Sequence, residues 1–279
     1  LMEAGMLDGT ETNIFGCEVE IESVGEGDTG GDDNDYWEWP DNDFNIDGPH
    51  GGSSSWWTPP TPCEAALLSR DVYNTQNGQQ EKGIEPLATE LSGDWSLNTT
   101  LDLSDITLTD NASGFNSAVY QKQVNGVYQY MYVTEGSTFE GLQDWLNNIK
   151  QISGNSKQYE ISVKNAKALN VLIGNKQLYF TGHSLGGGLA SANALATGRN
   201  AFTYNAAGLS SSTKKLYDIG LSPYISATIV RGELLNKIQS KYGIKAEGVI
   251  KYIDKESSFR QEVFNDKSLA IETYNALKL

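Results

Sequence analysis

Five consecutive residues offer the clearest chemistry in this sequence: Gly182-His183-Ser184-Leu185-Gly186, a G-x-S-x-G. The pattern alone arises easily by chance in a chain rich in glycine and serine, so its flanks decide its value. Before it, Leu178-Tyr179-Phe180-Thr181 reads as a short buried strand. After it, Leu189 to Ala196 is rich in alanine and predicts a helix. A strand that turns at once into a helix forces the residue at the bend into a strained backbone conformation. Gly182 and Gly186 leave out the Cβ atoms that would collide there. Ser184 Oγ then projects from the carboxyl edge of a sheet as a nucleophile. The Leu185 N–H, heading the helix, points to where an oxyanion would form, and the helix dipole adds to its stabilisation. This is a nucleophile elbow.

Other segments extend the pattern. Phe202-Thr203-Tyr204-Asn205-Ala206-Ala207-Gly208 follows the elbow. Tyr132-Val133-Thr134-Glu135-Gly136-Ser137 and Asp144-Trp145-Leu146 precede it. With Gly-His-Ser-Leu-Gly-Gly, these segments resemble the class 3 (fungal-type) lipases of the α/β-hydrolase fold, over about residues 63–279. The resemblance implies an oxyanion hole formed by the backbone N–H groups of Leu185 and Ser137, with the Ser137 hydroxyl as a further donor. In this fold the triad runs Ser, then Asp or Glu, then His. Ile229-Val230-Arg231-Gly232-Glu233 is similar to the family's acid-bearing segment, which makes Glu233 the candidate carboxylate and Asp218 the reserve.

The base breaks the pattern. The chain has two histidines, His50 and His183, and neither follows Glu233. His183 abuts the nucleophile and should point away from it, because neighbours in a strand face opposite sides. His50 lies upstream of the whole fold. The family's base would fall near Asp266-Lys267-Ser268, where no imidazole stands, and Lys267 would serve only if burial lowered its pKa by several units. Two readings follow. One is a serine carboxylic ester hydrolase of lipase, phospholipase or esterase type, acting through an acyl-enzyme on Ser184, its base replaced, supplied from residues outside this chain, or removed. The other is an inactive lipase-fold domain that binds an acyl ligand or a partner.

The elements that must position these groups occupy the later part of the chain. A helix is expected from Glu64 to Tyr73, a strand over 128–133, and helices over 144–152 and 161–173. Further strands are expected over 201–205, 226–230 and 249–253. Ile161, Val163, Ala166, Leu169, Leu172 and Ile173 give the second of those helices a broad apolar face. Strands alternating with helices predict a mostly parallel, doubly wound α/β sheet. Residues 74–113 are polar and broken by glycine, and assign no element with clarity.

Charge separates the chain into parts. The net charge is −16, yet residues 1–62 hold 15 of the 36 acidic residues and no Lys or Arg, so the rest carries 21 acids against 20 bases. Residues 1–24 read as a short N-terminal segment containing one strand, the end of a preceding domain. Residues 25–62 read as an acidic Gly/Asp/Trp-rich linker that cannot offset its own ordering entropy. Residues 63–279 read as the hydrolase domain, with the whole a piece of a larger or processed polypeptide. A near-neutral body and an acidic head exclude a phosphate backbone as partner, and the head repels an anionic membrane surface. No run of 18 apolar residues is present, so no transmembrane segment is expected.

Serine acyl transfer uses side chains and amides alone, so no cofactor and no metal is expected. Asp43-Phe44-Asn45-Ile46-Asp47-Gly48 begins like a calcium-binding loop but has Ser54 where a bidentate Glu is required. Cys17 and Cys63 read as unrelated thiols, pairing being the alternative in an oxidising compartment. Localisation is not fixed by these residues, and export as part of a longer chain is one reading.

Overall fold

The computed structural model describes residues 58–80, 95–136, 156–217, 219–231, 235, 239–240 and 244–253, and the backbone of 10–12 and 18–20. Its centre is a sheet of eight strands, β1 (Ser96–Leu97), β2 (Thr109–Asp110), β3 (Phe115–Val124), β4 (Val127–Thr134), β5 (Leu178–His183), β6 (Ala201–Tyr204), β7 (Ile225–Val230) and β8 (Val249–Ile253). The order across it is β8-β7-β6-β5-β4-β3-β1, with β2 also paired to β3. From β4 to β8 every pairing is parallel, and β3 pairs antiparallel with β1, β2 and β4. The expected mostly parallel α/β sheet is therefore what forms. Thr10–Thr12 and Glu18–Glu20 make a separate two-stranded antiparallel ladder.

Among the helices that accompany the sheet are α1 (Pro62–Asp71), α2 (Lys157–Ile173), α3 (Leu185–Thr197) and α4 (Ser211–Leu216). Helix α1 starts at Pro62 because Thr61 closes a capping box. The Glu64 N–H donates to Thr61 Oγ1 at 3.1 Å, and the Thr61 N–H donates to Glu64 Oε2 at 2.8 Å. Helix α2 buries Ile161, Val163, Ala166, Leu169 and Ile173, as the apolar periodicity predicted, and leaves Leu172 46% exposed at the edge of that face. The helix expected over 144–152 lies outside the described residues.

Period-2 alternation in β4 divides the core between the sheet's two faces. Met131 and Val133 pack with Ala65, Leu68 and Val72 of the α1 region. Tyr130 and Tyr132 pack with Leu169 of α2 and Leu189 of α3. The sheet is thus covered on both sides, which is why β5 and β6 read as continuous apolar runs.

Strand β3 is absent from the sequence-based expectations, although its signal is present. Asn125 and Gly126 both take left-handed backbone conformations (φ 51° and 81°), as a two-residue hairpin turn between twisted strands requires. Residues 74–113, which gave no clear assignment, supply the short strands β1 and β2. Cys63 is disulfide-bonded, which corrects the reading of two unrelated thiols; Cys17 lies outside the described residues.

One buried polar pair ties α1 to the sheet. The Tyr120 hydroxyl of β3 donates to Asp71 Oδ2 at 2.8 Å, and neither residue is exposed. Removing the donor leaves a buried carboxylate short of one partner, at a cost of about 2 kcal/mol. Tyr120→Phe is therefore expected to lower Tm by roughly 4–8 °C. A change below one degree in thermal unfolding would show that Asp71 is satisfied without it.

Candidate active site

Ser184 stands alone between the last residue of β5 and the first of α3, with φ 57° and ψ −123°. A non-glycine residue there costs roughly 1–3 kcal/mol and persists only where its surroundings over-determine it. They do so here. The Ser184 N–H donates to Tyr204 O at 3.0 Å, and its carbonyl accepts from Gly188 N at 3.2 Å and Ala207 N at 2.9 Å. Strands and helix thus fix the bend from three directions.

Gly182 and Gly186 both stand at close approaches of backbone to backbone. A Cβ on Gly182 would overlap Gly186 O and stand 2.5 Å from Gly186 C. One on Gly186 would overlap Thr134 O and stand 2.8 Å from Glu135 C. Thr134 adds a clamp, its Oγ1 donating to Gly186 O at 2.7 Å. The end of β4 is thereby pressed onto the first turn of α3.

Ser184 is only 5% exposed, and its Oγ has no hydrogen-bond partner among the described residues. It lies at the N-terminus of a 13-residue helix, where the first N–H groups, Leu185 among them, lack an acceptor one turn earlier. That end of the helix dipole favours negative charge. A hydroxyl without a competing bond, next to oriented amides, suits addition to a carbonyl.

Of the remaining predicted residues, the structure brings one segment to the nucleophile. A Cβ on Gly136 would meet His183 O at 2.6 Å and Ser184 Cβ at 3.4 Å, so the turn that ends β4 lies against the elbow. Ser137, Glu233, Asp218, His50 and Lys267 lie outside the described residues. Among the described residues no group of three His, Cys, Asp or Glu side chains could hold a metal ion, and the 43–54 segment falls outside them.

His183 makes no hydrogen bond to Ser184 Oγ, and burial lowers its pKa to about 4. The unfolded chain binds the His183 proton below about pH 6.5, whereas the folded chain refuses it until about pH 4. In that window the unfolded state holds more protons, so stability falls as pH falls, by up to about 3 kcal/mol before discounting for the ring's partial exposure. His183→Gln is expected to flatten this part of the stability–pH curve relative to the parent protein. Parallel curves from urea titrations between pH 4 and 7 would contradict it.

A parallel sheet flanked by helices, with a strained serine between strand and helix, defines an α/β-hydrolase carrying a nucleophile elbow. The Phospholipase-like family profile, described as the Tle-like phospholipase domain, matches residues 64–276, and the chain belongs to that family. The resemblance to class 3 lipases holds at this level. An extracellular phospholipase A1 from Serratia liquefaciens is 37% identical over 159 residues, covering 57% of this chain and 45% of that protein. The chain thus spans less than half the length of that relative. Among solved structures, a Rhizomucor miehei lipase propeptide complex matches with TM-score 0.44 and 18% identity, over 69% of this chain and 65% of that one. A Penicillium expansum triacylglycerol lipase matches with TM-score 0.45 and 17% identity, over 68% and 77%. The class rests on the strand order and the elbow rather than on these two structures. No described helix is long and apolar enough to cross a membrane.

Sequence reasoning passed over Thr134 and Tyr73, both of which touch the elbow's surroundings. Thr134 lies within a quoted motif, but nothing local marks its clamp on Gly186. Tyr73 carries no local signal at all.

Proposed function

We propose that this chain is a serine carboxylic ester hydrolase working through an acyl-enzyme on Ser184, with lipid esters as substrates. The observation that carries the reading is the over-determined bend at Ser184, which holds a hydroxyl with no partner among the described residues at the N-terminus of α3. Oγ adds to the ester carbonyl while its proton passes to a base, and the carbonyl oxygen gains charge facing the Leu185 N–H. Collapse expels the alcohol, and water then releases the acid by the same route in reverse roles. Ser137 is assigned the second oxyanion position, and Glu233 the carboxylate that orients the base.

Family membership and the likeness to a phospholipase A1 make glycerophospholipids the first substrates to try. The disulfide at Cys63 supports an oxidising compartment as the place of action. The base is not a histidine placed after Glu233 in this sequence, since none is there. That absence is what favours the second reading, an inactive fold that binds an acyl ligand or partner. A fluorophosphonate probe separates the two. Covalent mass gain on the Ser184 peptide, with fatty acid released from phosphatidylcholine vesicles, is the expected result. No mass gain and no release would leave only the binding role.

A further inference from the structure

Tyr73 lies in the 3-10 turn Val72–Asn74 that follows α1, more than a hundred residues before Ser184. Its phenol oxygen accepts the Gly136 N–H at 3.1 Å. The point where a Gly136 Cβ would stand is 2.5 Å from that phenol oxygen, 2.6 Å from His183 O and 3.4 Å from Ser184 Cβ. The phenol oxygen and Ser184 Cβ therefore flank the same point beside the elbow, where Gly136 carries no Cβ.

Three further facts bear on what this hydroxyl does. Its oxygen is anchored by one donor, and no described group accepts its hydrogen. Burial and the nearby Glu135 carboxylate hold its pKa far above the ordinary phenol value, so the hydrogen stays in place. Glu135 is itself fixed by Asn116, whose Nδ2 donates to Glu135 Oε2 at 2.6 Å and to Thr75 O at 2.7 Å. The result is a protonated phenol with a fixed oxygen and an O–H that no described group accepts, on the side of the elbow where Gly136 faces Ser184 Cβ.

The geometry points to Tyr73 as a further hydrogen-bond donor to the reacting ester, directed at the oxygen that gains charge when Ser184 Oγ adds to the carbonyl. This rests on the hydrolase reading above and adds a residue to its transition state. No proton is transferred; the phenol keeps its hydrogen and the bond strengthens as the oxyanion forms. An interaction realised in the transition state lowers kcat when removed and leaves KM nearly unchanged.

Tyr73→Phe is therefore expected to reduce kcat for p-nitrophenyl butyrate by about 10²-fold, with KM within about twofold. Loss of the Gly136 anchor should lower Tm by only a few degrees. A second protein separates donation from mere anchoring: 3-fluorotyrosine at position 73 keeps the oxygen and makes the phenol a stronger donor, so kcat should rise. If Tyr73→Phe keeps kcat within about threefold, or if its whole loss appears in KM, the proposal falls. An unchanged kcat in the fluorinated protein also overturns it. Labelling of Ser184 by a fluorophosphonate in the parent protein distinguishes the cases. A labelled, active parent with an indifferent Tyr73 refutes this role alone, whereas an unlabelled parent refutes the hydrolase reading with it.

Discussion

Replacing Ser184 with alanine is expected to lower kcat/KM for an activated acyl ester by about 10⁴-fold or more, with little change in the folded structure. The size of the effect follows from how triad members act. They work as a unit, so deleting the nucleophile discards covalent catalysis and leaves only the oxyanion amides and substrate binding, worth about 10³–10⁴ over water. The same non-additivity makes the measurement a test of the base. With a base in operation, loss of the serine shows its full cost. Without one, the serine is already idle and its removal changes nothing. Ser184 Oγ has no hydrogen-bond partner among the described residues, so the substitution breaks no side-chain hydrogen bond with them. Equal rates in p-nitrophenyl ester assays of the two proteins would end the hydrolase reading.

The second large effect is structural. Gly186→Ala is expected to destabilise the domain by about 3 kcal/mol or more, lowering Tm by roughly 6–12 °C, and to lose activity even where folded. Two terms compete. Alanine in place of glycine inside a helix favours folding by about 1 kcal/mol. Against this, the added Cβ overlaps Thr134 O and lies 2.8–2.9 Å from Glu135 C and O. All three are backbone atoms at the end of β4, which is paired to β3 on one side and β5 on the other. They cannot swing aside as a side chain would, so the steric term wins. Separation of β4 from α3 also moves Ser184, because the bend is bonded to both layers. Gly220→Ala is the control, since a Cβ there meets nothing within 4 Å. Thermal unfolding of the pair checks the claim, and a Gly186→Ala protein melting within two degrees of the parent would show that the interface yields.

The elbow was legible because its determinants are adjacent in the chain. Strand formers, two glycines around a serine and an alanine-rich stretch specify strand, bend and helix without reference to anything distant. The helix takes three glycines into its first turn, however, and the reason is tertiary. Gly186, Gly187 and Gly188 are poor helix formers, but each sits where a Cβ would strike Thr134, Ala206 or Tyr159, so packing overrides propensity. Strand β3 was legible in principle, through Asn125-Gly126, while its short partners β1 and β2 were not. Two-residue strands carry no periodicity to read.

The sequence by itself determined the mostly parallel α/β class and marked Ser184 as the candidate nucleophile. Only the tertiary structure brought Thr134, Gly136 and Tyr73 to the elbow, and it also placed the Asp71–Tyr120 pair between helix and sheet. The physical reason is range. A bend is set by steric limits on neighbouring residues, whereas the groups around it meet because strand register and crossover handedness carry distant segments to one edge of the sheet.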